Sequence, residues 1–221
     1  MKHPLIFVMG VQRSGTNALF RSLRGGAASA YNESNDSAVF DAMFLRPEPE
    51  VRAEIADARG PVLIKPISET KRRSVVDVFQ AYSAHNLRLV WVYRDPVNCY
   101  ASHIARWDEF RDQPDGFVKS WCSRNQKVLD ALAVFGDRVA VVRYADLIDD
   151  PQVVKSLGTF LGLRGRYRFR KDSNRGRRVL NKKTVERIID GSRLVWDDLE
   201  RSRRFEAEQS SFWRQSIARI T

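Results

Sequence analysis

A chain of 221 residues and 25.5 kDa is long enough to bury a proper core as one domain. Its 43% hydrophobic content and five tryptophans exclude a disordered chain, and no apolar run approaches the roughly 20 residues that cross a bilayer. A formal charge of +11 and a pI near 10.0 predict an anionic partner, whether nucleic acid, membrane surface or anionic small molecule, without choosing among the three.

In chain order, the first apolar run is LIFVMG at 5–10. It lacks a small-residue cleavage site and leads straight into a glycine loop, so it reads as a strand rather than a leader. Further short apolar runs follow at 28–31 (ASAY), 61–65 (PVLIK), 87–94 (LRLVWVYR) and 138–144 (RVAVVRY). Nearly continuous apolar runs suit strands buried on both faces of a parallel sheet. Between them, helical spacing predicts helices over 17–24, 68–84, 96–107, 117–135 and 151–161, with Pro96 and Pro151 placed where a first turn accepts proline. Strands alternating with helices predict an α/β fold, a three-layer sandwich of about five parallel strands with helices on both faces.

At 164–178 the pattern changes to the arginine-dense RGRYRFRKDSNRGRR. The expected organisation is a single domain over 1–221: a core at 1–163, a basic loop at 164–181 and a helical segment at 182–221. That last segment carries Leu194, Trp196, Leu199, Phe205, Phe212 and Trp213 as an aromatic and aliphatic packing stripe. Cys99 and Cys122 have no metal or redox spacing, which suggests a reducing, cytoplasmic setting.

Two segments carry chemistry. In GVQRSGTN, Gly10 and Gly15 keep the spacing of a triphosphate-binding loop, but Thr16 stands where the lysine of that loop would be. A strand, a glycine turn and a helix start still present backbone N–H groups to an anion. Ser14, Thr16 and Asn17 add side-chain donors, and Arg13 adds a planar cationic fork. In YRDPVNCYAS, Arg94 ends an apolar strand, Asp95 can cap the helix that Pro96 begins, and Ser102 lies eight positions beyond Arg94. An arginine and a hydroxyl so placed can converge on one phosphate.

Taken together, the chain resembles the sulfotransferases that use 3'-phosphoadenosine 5'-phosphosulfate (PAPS). GVQRSGTNAL resembles that family's 5'-phosphosulfate loop, VYRDPVNCYAS its 3'-phosphate motif, and VVRYADLIDDPQVVKSLGTFLGL at 141–163 its RYEDL…DP…FLGL stretch. The resemblance implies a P-loop-like fold and a PAPS donor, with 3'-phosphoadenosine 5'-phosphate as product and no metal required. It implies that Arg13, Ser14, Gly15, Thr16 and Asn17 cradle the phosphosulfate, and that Arg94 and Ser102 take the 3'-phosphate. Arg175, Gly176 and Arg177 are the candidates for a basic loop closing over the nucleotide.

Members of the family also need a base for the acceptor proton. In KTHLP-like stretches a histidine serves, but here LIKPISE has Lys65 in register and Ile67 at the histidine position. Carbohydrate-type relatives use a glutamate after the second strand, which points to Glu33. Lys65 is then the second catalytic cation, with Asp36 and His103 in reserve. The expected acceptor is a glycan or small-metabolite hydroxyl, with an anionic acceptor or an amine left open. Its pocket is expected from 34–54, 107–116 and the C-terminal segment. No nucleic-acid partner is expected. Three other readings remain at this level: an irregular ATP-dependent P-loop kinase, a nucleic-acid-binding module, and a sulfotransferase-like fold that binds nucleotide without turnover.

Overall fold

The computed structural model describes residues 3–165, 167, 169 and 179–205. Five strands form one parallel sheet: β1 (Leu5–Gly10), β2 (Ser29–Asn32), β5 (Val62–Lys65), β6 (Leu87–Tyr93) and β7 (Val139–Arg143), in the order β2-β5-β1-β6-β7. β1 is central and pairs on both sides, Phe7 standing opposite Ile64 of β5 and Leu89 of β6. A two-stranded hairpin, β3 (Phe40–Asp41) with β4 (Phe44–Leu45), lies in the link between β2 and β5. No strand was expected there, because strands of two residues are too short to show a periodicity.

Alternate strand residues face opposite sides, and both sides are apolar, as the unbroken runs predict. Ile6, Val8, Val90 and Val142 join Leu19, Leu23 and Leu157 from α1 (Thr16–Leu23) and α8 (Pro151–Phe160). Phe7, Met9, Trp91 and Val141 pack instead with α4 (Val75–Ala81), α6 (Pro114–Phe135) and α9 (Lys182–Arg201). Trp91 is fully buried and satisfies its indole N–H on Asn125 Oδ1 of α6 at 2.8 Å. The three expected layers are therefore present.

Two predicted helices need correction. The segment 68–84 is two helices, α3 (Glu69–Arg72) and α4, because Arg73 is extended and Ser74 restarts the helix with a capping box to Asp77. The S-x-x-D spacing of that box was visible in the sequence. The C-terminal helix ends at Arg201 rather than running on through 205. Past it the chain turns back, Arg203 bridging to Val141 and the Arg204 N–H donating to the Val141 carbonyl at 3.1 Å, which covers the β7 edge. Leu194 also leaves the expected stripe, while Phe212 and Trp213 lie outside the described residues. The buried face of α9 runs through Ile188, Ser192 and Leu199, and two residues past Ser192 the helix has turned by about 200°. Leu194 is 81% exposed.

The turn after α9 is held by a buried ionic network. Asp146 of α7 (Tyr144–Asp149), 1% exposed, accepts from Arg143 Nη2 at 2.6 Å and from Arg203 Nη1 at 3.0 Å. Glu200 accepts from the Tyr93 hydroxyl at 2.7 Å and from Arg143 Nη1 at 3.4 Å. Burial, then Glu200, push the Tyr93 hydroxyl up, so it stays a donor. Removing the central carboxylate takes from two arginines the buried partner they share, leaving each with Glu200. Asp146→Ala should therefore cost about 3 kcal/mol in urea unfolding, at the low end for a broken buried pair. A loss within experimental error of zero would show that the network does not hold the C-terminal turn.

Candidate functional site

The chain leaves β1 through α1 on one face of the sheet and leaves β6 through α5 (Pro96–Ile104) and α6 on the other. The carboxyl ends of β1 and β6 are thus a topological switch point, where open α/β sheets form a crevice. Both segments singled out in the sequence as candidate anion binders open there.

The loop after β1 is built by close approach. A Cβ on Gly10 would lie 2.3 Å from the Val92 carbonyl oxygen of β6. Gly15 has φ +106, and a Cβ there would lie 2.1 Å from the Tyr144 ring. No other residue fits either position. Between them, Arg13 adopts φ 70, a left-handed conformation that costs a non-glycine residue energy and that concentrates at functional sites. Ser14 is fully buried, and its Oγ has no hydrogen-bond partner among the described residues. Thr16 is buried and Asn17 exposed in the first turn of α1.

The loop after β6 meets it. Asp95 caps α5 by accepting from the Asn98 N–H at 2.7 Å, which fixes where the helix presents Ser102. Arg13 Nε donates to Ser102 Oγ at 2.9 Å, and Arg94 Nη1 reaches the Arg13 carbonyl at 3.4 Å. Arg94 also lies over the Tyr144 ring, 4.8 Å from its centroid. Phe169, at the start of the basic stretch, meets the same ring edge-on at 5.8 Å. Tyr144 therefore joins three segments far apart in sequence: Gly15, Arg94 and the entry to the basic loop. Arg175, Gly176 and Arg177 lie outside the described residues.

A second cluster stands at the ends of β2 and β5, on the other side of β1. Lys65 Nζ lies 3.7 Å from Glu33 Oε1, both side chains nearly buried. Glu33 Oε2 accepts from the Ser68 backbone N–H at 2.7 Å. Burial, opposed by Glu33, lowers the Lys65 ammonium below its ordinary value. Asp36 is used locally, accepting from the Asn32 N–H at 2.5 Å and closing the turn after β2. Ile67 points its side chain into the interior, 5% exposed, so the histidine position of the family pattern is a packing position here.

One cation at this cluster had not been singled out from the sequence. Arg124 of α6 is 6% exposed. Its Nε donates to Thr70 Oγ1 at 2.8 Å, Nη2 to the Ile67 carbonyl at 3.0 Å and Nη1 to Gln12 Oε1 at 3.3 Å. Burial, opposed by Glu33 and Glu109, pulls its guanidinium down to about 10, so it remains charged at neutral pH. The available signal was an arginine on the apolar stripe of α6, between Trp121 and Val128.

His103 is buried beside Trp107 and Phe110, its Nε2 3.5 Å from Glu109 Oε2. Trp107 is 37% exposed and receives Arg13 and Arg106 against its ring at 5.7 and 5.4 Å. The arrangement gathers two arginines and hydroxyl donors at the switch point, with a carboxylate and an amine paired at the neighbouring strand ends.

With that geometry in hand, solved structures offer a comparison. A sulfotransferase from Alicyclobacillus acidocaldarius superposes with a TM-score of 0.65 at 20% identity, covering 97% of this chain and 100% of its own. The sulfotransferase domain from the curacin biosynthetic pathway matches with a TM-score of 0.52 at 19% identity, over 74% of this chain and 75% of that one. The chain has the P-loop-like α/β fold of these sulfotransferases. No protein-family profile and no curated protein sequence matches it.

Burial, partly offset by Glu109, holds His103 below its usual 6.5. As pH falls through that value the unfolded chain takes up the proton before the folded one does, so stability falls with pH until the folded imidazole titrates. The urea midpoint should drop between pH 7 and pH 5.5, and less so in His103→Asn. Equal drops in both proteins would assign the acid sensitivity to other groups.

Proposed function

We propose that this protein is a sulfotransferase that takes its sulfuryl group from PAPS and delivers it to an acceptor hydroxyl, with Glu33 as general base. The observation that carries the proposal is the Arg13–Ser102 hydrogen bond at 2.9 Å, which joins the two anion-binding segments across the switch point. The resemblance of each segment to a PAPS motif adds weight, as does the fold.

The residues present fit such a donor. Gly10 and Gly15 leave no room for a side chain in the loop, and the buried Ser14 hydroxyl is an unsatisfied donor within it. Arg13, Ser14, Gly15, Thr16 and Asn17 would hold the 5'-phosphosulfate end. Arg94 and Ser102 would hold the 3'-phosphate, the group that distinguishes PAPS from ATP. Thr16 in place of the P-loop lysine counts against ATP–magnesium chemistry. When bound, PAPS supplies the sulfuryl group and the bisphosphate leaving group.

The chain's own residues do the rest. Glu33 accepts the acceptor's proton on its carboxylate, which the Ser68 N–H orients at 2.7 Å. Lys65 keeps that carboxylate paired, and its charge is available to oxygens gathering negative charge nearby. The loop amides and Arg13 stabilise the leaving phosphate. For the acceptor, the partly exposed Trp107 suits contact with a sugar ring. Exposed Lys71, Arg72 and Arg106 suit a sugar or metabolite bearing an anionic group.

Adenosine 3',5'-bisphosphate should raise the melting temperature where ATP with magnesium does not; the reverse result would sink the proposal. Arg94→Ala should weaken the 3',5'-bisphosphate at least 10-fold more than 5'-AMP, on the order of one lost charge-assisted contact. Equal weakening would remove Arg94 from a 3'-phosphate role. Glu33→Gln should keep bisphosphate affinity while turnover falls about 100-fold, the usual worth of a positioned base. Unchanged turnover with labelled PAPS and a panel of sugar acceptors would eliminate Glu33.

A further inference from the structure

Arg124 raises a physical question that the proposed chemistry leaves unanswered. It is a buried cation, and among the described residues no carboxylate lies within ion-pair distance of it. An apolar side chain would fill the interior of α6 at lower cost, since a buried charge without a partner is expensive. Its three hydrogen bonds all go to neutral oxygens, and they belong to two different segments of the site.

The first segment is the turn after β5. Arg124 donates to the Ile67 carbonyl and to the Thr70 hydroxyl, and that hydroxyl in turn donates to the Ile67 carbonyl at 2.9 Å. Ser68, the residue after Ile67, points its N–H at Glu33. The second segment is the anion loop, reached through Gln12, the neighbour of Arg13. One turn further along α6, Lys127 Nζ donates to the Thr70 carbonyl at 2.6 Å and the Arg73 carbonyl at 3.2 Å. Two cations thus hold the 67–73 stretch against the helix, but Arg124 also ties it to the loop.

Resting on the reading of Glu33 as base, we infer that Arg124 is a positioning residue. It locks the Ile67–Ser68 turn to the anion loop and so sets where the Glu33 carboxylate stands relative to the bound donor. A planar guanidinium suits this task, because its donors leave in fixed directions toward separate acceptors, whereas an ammonium cannot hold three positions in register. Small errors in such placement are costly: a shift of about 1 Å can cost 100-fold in rate.

The inference separates from simple stabilisation by comparing three variants. Arg124→Met should lower kcat about 100-fold while the KM for PAPS and the affinity for adenosine 3',5'-bisphosphate stay within threefold of the native protein. Lys127→Met loses bonds to the same stretch but none to the loop, and its kcat should stay within about twofold. Gln12→Ala leaves Arg124 in place and should lower kcat about 10-fold, which keeps the test usable if Arg124→Met folds poorly. Hydrogen exchange supplies a readout that needs no turnover. Arg124→Met should speed exchange in peptides covering both 11–16 and 66–73, and Lys127→Met only in the latter. Exchange at 66–73 unchanged in Arg124→Met would overturn the coupling, as would equal losses of kcat in Arg124→Met and Lys127→Met. Normal coupling in a protein that neither binds the bisphosphate nor turns over PAPS would instead overturn the sulfotransferase reading.

Discussion

The site depends on the double pairing of β1. Because that strand lies between β5 and β6, its carboxyl end is flanked on one side by the Lys65–Glu33 pair and on the other by Arg94 and Ser102. Backbone hydrogen bonds on both edges fix its height in the sheet, and the glycine turn that follows has no freedom to settle elsewhere. Gly10 lies too near the Val92 carbonyl, and Gly15 too near Tyr144, for any side chain to be accepted. A loop held from three directions can sustain the left-handed Arg13, and this conformation sends the guanidinium toward Ser102. Rigid placement of donors before any ligand arrives is what allows charge to be stabilised without reorganisation.

Charge is distributed in this molecule with a clear division. Many of the lysines and arginines among the described residues are exposed, and as solvated groups each contributes little to stability. Among the described residues, the cations drawn inward each have a specific occupation. Arg143 and Arg203 meet at Asp146 and hold the C-terminal turn over the sheet edge; Lys65 meets Glu33; Arg124 spans the turn after β5 and the anion loop. The last two sit at the strand ends, where burial strengthens electrostatic interaction and where a misplaced charge would be most costly.

Aromatic residues link these polar clusters to one another. Tyr144 starts the helix after β7, yet it bounds the glycine loop, carries Arg94 on its face and meets Phe169 at its edge. Trp107 does a similar job toward solvent with Arg13 and Arg106. Arginine over an aromatic ring keeps its hydrogen-bonding edge free while its faces are packed, so these contacts orient the guanidinium without consuming its donors.

Much of this was legible in the sequence. Continuous apolar runs announced strands buried on both faces, and Pro96 and Pro151 announced where α5 and α8 begin. The glycine spacing and the Arg94–Ser102 interval picked out two segments that the structure brings together at the carboxyl ends of β1 and β6, because such features are local and follow from backbone geometry. Other features arise only from contacts between distant segments. The two-residue strands and the return of the chain to β7 depend on neighbours that no periodicity encodes. Arg124 lies 112 positions from Gln12 and 54 from Thr70, and its role exists only once the sheet order brings those residues beneath α6. The chain by itself determined which chemical groups are present and which local turns they occupy. Only the tertiary structure decided which of them meet, because hydrogen bonds and buried charges select partners by distance in space and not along the chain.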